Sequence, residues 1–113
     1  MQRNDIISIS NRYFDCFANK EFDSLFELFA QGVVLKDWEN EVSGIENVVA
    51  LNKKIFSTAR SIEITILYQC RLSENVVFNK IEVGVNKERK ISVIDLLSFD
   101  EEGRITLVEA YKK

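Results

Sequence analysis

The sequence predicts an α+β domain, helices first and an antiparallel sheet afterwards. Three observations lead there. Up to Ala59 the apolar residues recur at three- and four-residue steps. From Ile62 the period changes to two. No Pro- or Gly-rich linker and no internal repeat interrupts the chain.

Residues Asp5 to Ala18 read as a first helix, because Ile6, Ile9, Tyr13, Cys16 and Phe17 share one face. Asp23 is the N-cap or first-turn residue of a second helix, with Leu25, Phe26, Leu28 and Phe29 on its buried side. Gln31-Gly32 is expected to end it, glycine being common just past a helix C-terminus. Val33 to Asp37 then forms a short strand, and Trp38 to Gly44 a polar connection with room for a small hairpin. A third helix runs from about Ile45 to Ala59, with Val48, Val49, Asn52, Ile55, Phe56 and Ala59 on related faces.

In the next strand Ile62, Ile64, Ile66, Tyr68 and Cys70 alternate with Glu63, Thr65, Leu67 and Gln69. Arg71 to Asn75 is read as a turn and Val76 to Asn86 as a strand. The alternation of that strand slips at Asn79 and Lys80, which marks a candidate bulge. Asn86 to Arg89 turns the chain into a strand from Lys90 to Phe99. Asp100-Glu101-Glu102-Gly103 makes a tight hairpin loop, with Gly103 supplying positive φ. Arg104 to Tyr111 is the final strand. A curved sheet covered on one flank by helices can enclose a pocket.

At 113 residues, the chain is expected to form one domain over 1–113 with one core. Apolar residues make up 46% and charged residues 29%, a globular mixture rather than a disordered one. A net charge of −3 with scattered Lys and Arg argues against a nucleic-acid partner. Cys16 and Cys70 have no metal-ligand spacing and are expected as buried free thiols. With polar residues from Gln2 to Asp5 and no apolar run near ~18 residues, we expect neither a leader nor a membrane span. The cytoplasm is the expected location. The absence of histidine is the most restrictive fact. It removes His-based triads, the usual zinc sites and imidazole shuttles, so acid–base chemistry falls to Asp, Glu, Tyr, Lys or Cys.

Asp95 breaks the pattern of its strand. Ile91, Val93, Leu97 and Phe99 share its side, so that side faces a core or pocket. An ionised carboxylate there, unpartnered, would be costly; it takes up a proton or finds a donor. Two readings stay open: a structural Asp satisfied by backbone or Arg, and a functional acid. Asp37 lies on the side of Val33 and Leu35 at a strand end, as an active-site residue or as the start of an exposed turn. Tyr13 sits on the apolar stripe of the first helix, as a phenol that needs a partner or as plain core packing. Cys16 and Trp38 are read as structural.

These positions fall within a wider resemblance. The segments are Arg12-Tyr13-Phe14, Phe22-Asp23-Ser24-Leu25 through Leu28-Phe29-Ala30, Val33-Val34-Leu35-Lys36-Asp37 and Gly44-Ile45-Glu46. Val93 to Ile105 and Glu109-Ala110-Tyr111 complete them. The chain resembles the SnoaL-like and ketosteroid isomerase branch of the nuclear transport factor 2-like superfamily over nearly its whole length. The resemblance implies a cone-shaped fold: three N-terminal helices packed on a strongly curved antiparallel sheet, with a pocket inside and often a homodimer through the outer sheet face. It also implies a catalytic set. Tyr13, Asp37 and Asp95 fall on the positions of the isomerases' helical Tyr, strand-end base and second Asp. Asp37 would be the base, and Tyr13 and Asp95 the oxyanion hole, of a cofactor-free, metal-free proton transfer beside the carbonyl of a small hydrophobic compound. Trp38 replaces a Pro frequent after the base, Phe29 and Asn52 stand near the positions of extra tyrosines, and Lys112 replaces a terminal aromatic. These differences bear on pocket lining and substrate.

Two alternatives accompany the steroid Δ-isomerase-like reading. One is a non-catalytic small-molecule-binding module of the same fold. The other is a SnoaL-like cyclase or dehydratase using the same Asp. An epoxide hydrolase is less expected, because its Asp-Arg-Asp network needs an inward Arg, whereas Arg71, Arg89 and Arg104 sit at turns.

Overall fold

A computed structural model describes residues 5–88 and 90–113, with only the backbone of Asp5. Arg89 and the polar segment before Asp5 therefore lie outside the described residues. The helices are α1 (Asp5–Ala18), α2 (Phe22–Leu28) and α3 (Ile45–Thr58). The strands are β1 (Phe29–Lys36), β2 (Glu41–Ser43), β3 (Ile62–Ser73), β4 (Val76–Val85), β5 (Ile91–Phe99) and β6 (Ile105–Lys112). The helices pack on one six-stranded sheet of order β2-β1-β6-β5-β4-β3. Its pairings are antiparallel except for β1 with β6, which run parallel. The sheet is thus mixed, and β1 lies beside the last strand of the chain. No described helix is long and apolar enough to cross a membrane.

The first helix ends with Lys20 at φ 57° and a bond from Glu21 N to Cys16 O of 2.9 Å, a left-handed cap that closes the helix without glycine. α2 is shorter than expected. Asp23 lies in its first turn, and the helix gives way to β1 at Phe29. Phe29 is a buried strand residue, and Phe26 faces solvent. Gln31-Gly32 does not end a helix. It lies where β1 loops out against β6: Phe29 pairs with Ile105 and Val34 with Leu107, so β1 carries extra residues between those points. The break signalled by Gly is real, but it interrupts a strand.

The connection after Asp37 forms the small hairpin, with β2 antiparallel to β1. Gly44 (φ 89°) then turns the chain into α3. β3 extends through Ser73, so the turn to β4 is only Glu74-Asn75. The bulge lies in β3, not in β4. Ile66 pairs with Ile81 and Tyr68 with Lys80, which leaves Leu67 as the extra residue. Before it, Ile62 and Ile64 face inward; after it, Tyr68 and Cys70 turn out and Gln69 turns in. Tyr68 is consequently exposed and Cys70 only half-buried. β4 itself alternates without a slip. Val77, Asn79 and Ile81 are all buried, so Asn79 breaks the hydropathy of the strand but not its geometry.

β5 is the central inward-facing strand. Val93, Asp95, Leu97 and Phe99 are buried on the expected side. Its hairpin to β6 is held by Asp100, whose Oδ1 accepts from Glu102 N and Arg104 N, both at 2.9 Å, with Gly103 at φ 84°. Leu97 is fully buried and Leu67 half-exposed. Leu97→Ala should therefore lose about 2–5 kcal/mol in denaturant unfolding and Leu67→Ala under about 1 kcal/mol.

Candidate active site

The inward faces of β1 and β3–β6, with α1 and α3 above them, enclose a cavity of about 330 Å³. That is the lower end of the usual size for a small-molecule site. Most of its wall is apolar, including Phe14, Phe17, Leu35, Ile64, Ile81, Val93 and Val108. The polar lining is Tyr13, Asn52 and Asp95 inside, and Asp37, Trp38, Glu39 and Asn40 at the rim. No Lys or Arg lines it among the described residues. The three sequence candidates are thus brought to one cavity from three elements.

Tyr13 is buried on α1. Its ring packs edge-on to Phe14 at 5.3 Å and Phe29 at 6.1 Å, and tilted to Phe17 at 6.2 Å. This aromatic clamp fixes the direction of the phenol. Burial, reinforced by the charge of Asp95, pushes its pKa far above the ordinary tyrosine value. The hydroxyl is therefore held as a neutral donor.

Asp95 is anchored through its backbone. Asn79, opposite it on β4, donates from Nδ2 to Asp95 O at 3.3 Å. Asn79 Oδ1 accepts from Gln69 Nε2 at 2.7 Å, and that nitrogen also donates to Asn11 Oδ1 at 2.9 Å. The chain of amides ties α1, β3, β4 and β5 together and leaves the carboxyl to the cavity. Among the described residues no hydrogen bond is made to that carboxyl, from Tyr13 or any other donor. Burial first, and the negative charge of Asp37 second, push its pKa up to about 7.

Asp37 follows the last residue of β1 and is half-buried. Its Oδ1 accepts from Glu39 N at 2.8 Å and Asn40 N at 2.6 Å. Asn40 Nδ2 approaches both oxygens, at 3.3 and 3.4 Å. The residue starts its turn half-buried rather than exposed, and it also lines the cavity. The turn swings Trp38 outward. It is 47% exposed at the cavity rim, with Lys112 Nζ 5.9 Å from its ring, and does not belong to the core. Cys16 is buried in the core as expected.

Sequence reasoning missed the interior role of two asparagines. Asn79 was visible only as a break in alternation, and Asn52 as one position on a helix face. The signal that singled out Asp95, a lone polar residue on an apolar face, applied equally to both. Among the described residues, no group of His, Cys, Asp and Glu is arranged to hold a metal ion.

Solved structures share this fold. A candidate ketosteroid isomerase from Kribbella flavida DSM 17836 superposes with a TM-score of 0.84 at 12% identity, over 97% of this chain and 78% of that one. An LEH-like epoxide hydrolase from M. tuberculosis gives 0.82 at 17% identity, over 97% and 84%. A candidate polyketide cyclase from Sinorhizobium meliloti gives 0.82 at 20% identity, over 97% and 99%. At such identities the likeness is one of fold. No curated protein matches the sequence. The SnoaL-like domain profile matches residues 11–108, most of the chain. With its helices, mixed sheet and half-open cavity, the chain belongs to the SnoaL-like domain family.

Proposed function

We propose that the chain is a cofactor-free isomerase of the ketosteroid isomerase kind, acting on a small hydrophobic carbonyl compound. Asp37 takes a proton from the carbon between a ketone and a β,γ double bond. The electron pair moves to the carbonyl oxygen, giving a dienolate. Tyr13 and protonated Asp95 donate hydrogen bonds to that oxygen, where charge develops in the transition state. Asp37 returns the same proton to the γ carbon, the double bond enters conjugation, and no atoms are gained or lost.

One observation carries this reading. Asp95 shares the cavity wall with Tyr13 and Asp37 and, among the described residues, with no basic side chain, so that burial and the Asp37 charge push its pKa up to about 7. Two carboxyls whose surroundings separate their roles are the mark of an acid and a base. Among the described residues no Arg lines the cavity, which speaks against the water-activating network of an epoxide hydrolase: Arg71 is bound to its own turn, through Ser73 O and Glu74 O. A binding-only role draws on a different observation. Asp37 Oδ1 is already engaged by its turn, and only Oδ2 is left lightly bonded for chemistry.

We also place the protein in the cytoplasm, supported by its unpaired thiols. A second copy would cover the outer sheet face, where Tyr68, Phe78, Ile94, Leu96 and Tyr111 form an apolar stripe.

Purified protein should convert a β,γ-unsaturated ketosteroid to its conjugated enone, followed by ultraviolet absorbance. Asp37→Asn should lower the rate by roughly 10²–10⁴-fold. No rate above background, or full activity in Asp37→Asn, refutes the isomerase and favours binding alone.

The sign of the pH dependence follows from Asp95. Between an ordinary 3.8 and about 7, the folded chain holds a proton that the unfolded chain releases. Stability therefore falls as pH rises through that window, by roughly 1 kcal/mol per pH unit at the steepest. Melting temperatures from pH 5 to 8 should show the decline, and Asp95→Asn should flatten it. Turnover should also fall above about pH 7 as the donor is lost.

Light scattering should give twice the 13.1 kDa chain mass, and Leu96→Lys should give the monomer.

A further inference from the structure

Asn52 stands apart from the groups used above. It lies on the buried face of α3, one turn beyond Val48 and Val49. Its side chain is fully buried and forms part of the cavity wall. Among the described residues neither Nδ2 nor Oδ1 has a hydrogen-bond partner, and neither atom is open to water. Buried amides are ordinarily paired. Asn79 shows that ordinary outcome, with both amide atoms bonded. Ser10 Oγ is unpartnered too, but it lies away from the cavity wall.

A leucine at this point of α3 would pack without leaving polar atoms unpaired. The amide instead keeps a donor and an acceptor beside the cavity. Rotation about the last torsion of Asn is soft, so the amide edge can swing to meet a group that arrives there. The ligand is then its natural partner.

We propose that Asn52 reads a hydroxyl on the ligand, separate from the carbonyl held by Tyr13 and Asp95, so that the substrate is a hydroxylated ketone. A hydroxyl accepts from Nδ2 and donates to Oδ1 at once. A second ketone would leave Oδ1 unpaired. A carboxylate would also leave it unpaired, and would bring a charge into a wall that already holds Asp37 and Asp95. The inference rests on the isomerase reading for the carbonyl end of the ligand.

A matched pair of phenols tests it, since a phenol presents a planar oxygen like that of a dienol. The probes are 4-cyclohexylphenol and 4-(4-hydroxycyclohexyl)phenol, which differ by one alcohol. An apolar wall alone would favour the first, because the alcohol must be stripped of water. The wild type should bind the second at least about ten-fold tighter by calorimetry. Asn52→Leu should lose that preference, and its ligand-free form should melt higher than the wild type. Equal affinity for the two probes in the wild type, binding of neither, or a preference that survives in Asn52→Leu overturns the inference. So does a lower melting temperature for Asn52→Leu, which would mark the amide as structural. Should Asn52→Leu fail to fold, the wild-type ratio decides. Loss of isomerisation with the preference intact removes the isomerase and leaves Asn52 as the reader of a bound hydroxyl.

Discussion

Holding the Asp95 carboxyl out of water, with no cation beside it among the described residues, is the constraint around which the cavity is arranged. Val93, Leu97 and Phe99 share its face of β5, so the strand cannot turn it outward without exposing them. A neighbouring Arg would pair with the carboxyl and make it an ordinary anion. The wall supplies apolar side chains and the charge of Asp37 instead, and both favour the protonated form. What the fold does supply to Asp95 is backbone support, through the Asn79 amide and the Gln69 and Asn11 side chains behind it. Position and protonation are thus set by different neighbours.

The other two groups arrive by topology. The parallel pairing of β1 with β6 runs β1 past Val108 and ends it beside Glu109, which brings Asp37 to the rim. α1 brings Tyr13 over the sheet within a cluster of phenylalanines that leaves its ring little freedom. A rim carboxylate, an immobilised phenol and an interior acid come from elements far apart in the chain. Only the folded sheet, with α1 packed over it, makes them neighbours.

Much of this is legible in the order of residues alone. The change of hydrophobic period separates helices from strands, and strict alternation puts Asp95 inside. Gly44 marks the entry to α3 and Gly103 the hairpin between β5 and β6. Legibility fails where one signal has two causes. Gln31-Gly32 looks like a helix stop but is a loop-out in a strand, because glycine marks irregular backbone without naming its kind. Asn79 looks like a slip in register but is an inward amide with a cross-strand partner. The parallel β1–β6 contact leaves no local trace, since it joins segments some seventy residues apart. The unpaired state of Asn52 depends on what surrounds it in space, so its position on a helix face can be read from the chain but its isolation cannot.

β3 is the terminal strand of the sheet on its side, and its outer backbone edge has no neighbour in the sheet order. A straight edge of that length would offer a template to the strand of another chain. The extra residue at Leu67, and a second irregularity between Arg71 and Ser73, twist that edge and interrupt its run of donors and acceptors. The kink that turns Gln69 toward Asn79 therefore also guards against edge-to-edge aggregation, and straightening β3 would put solubility at risk along with the anchoring of Asp95.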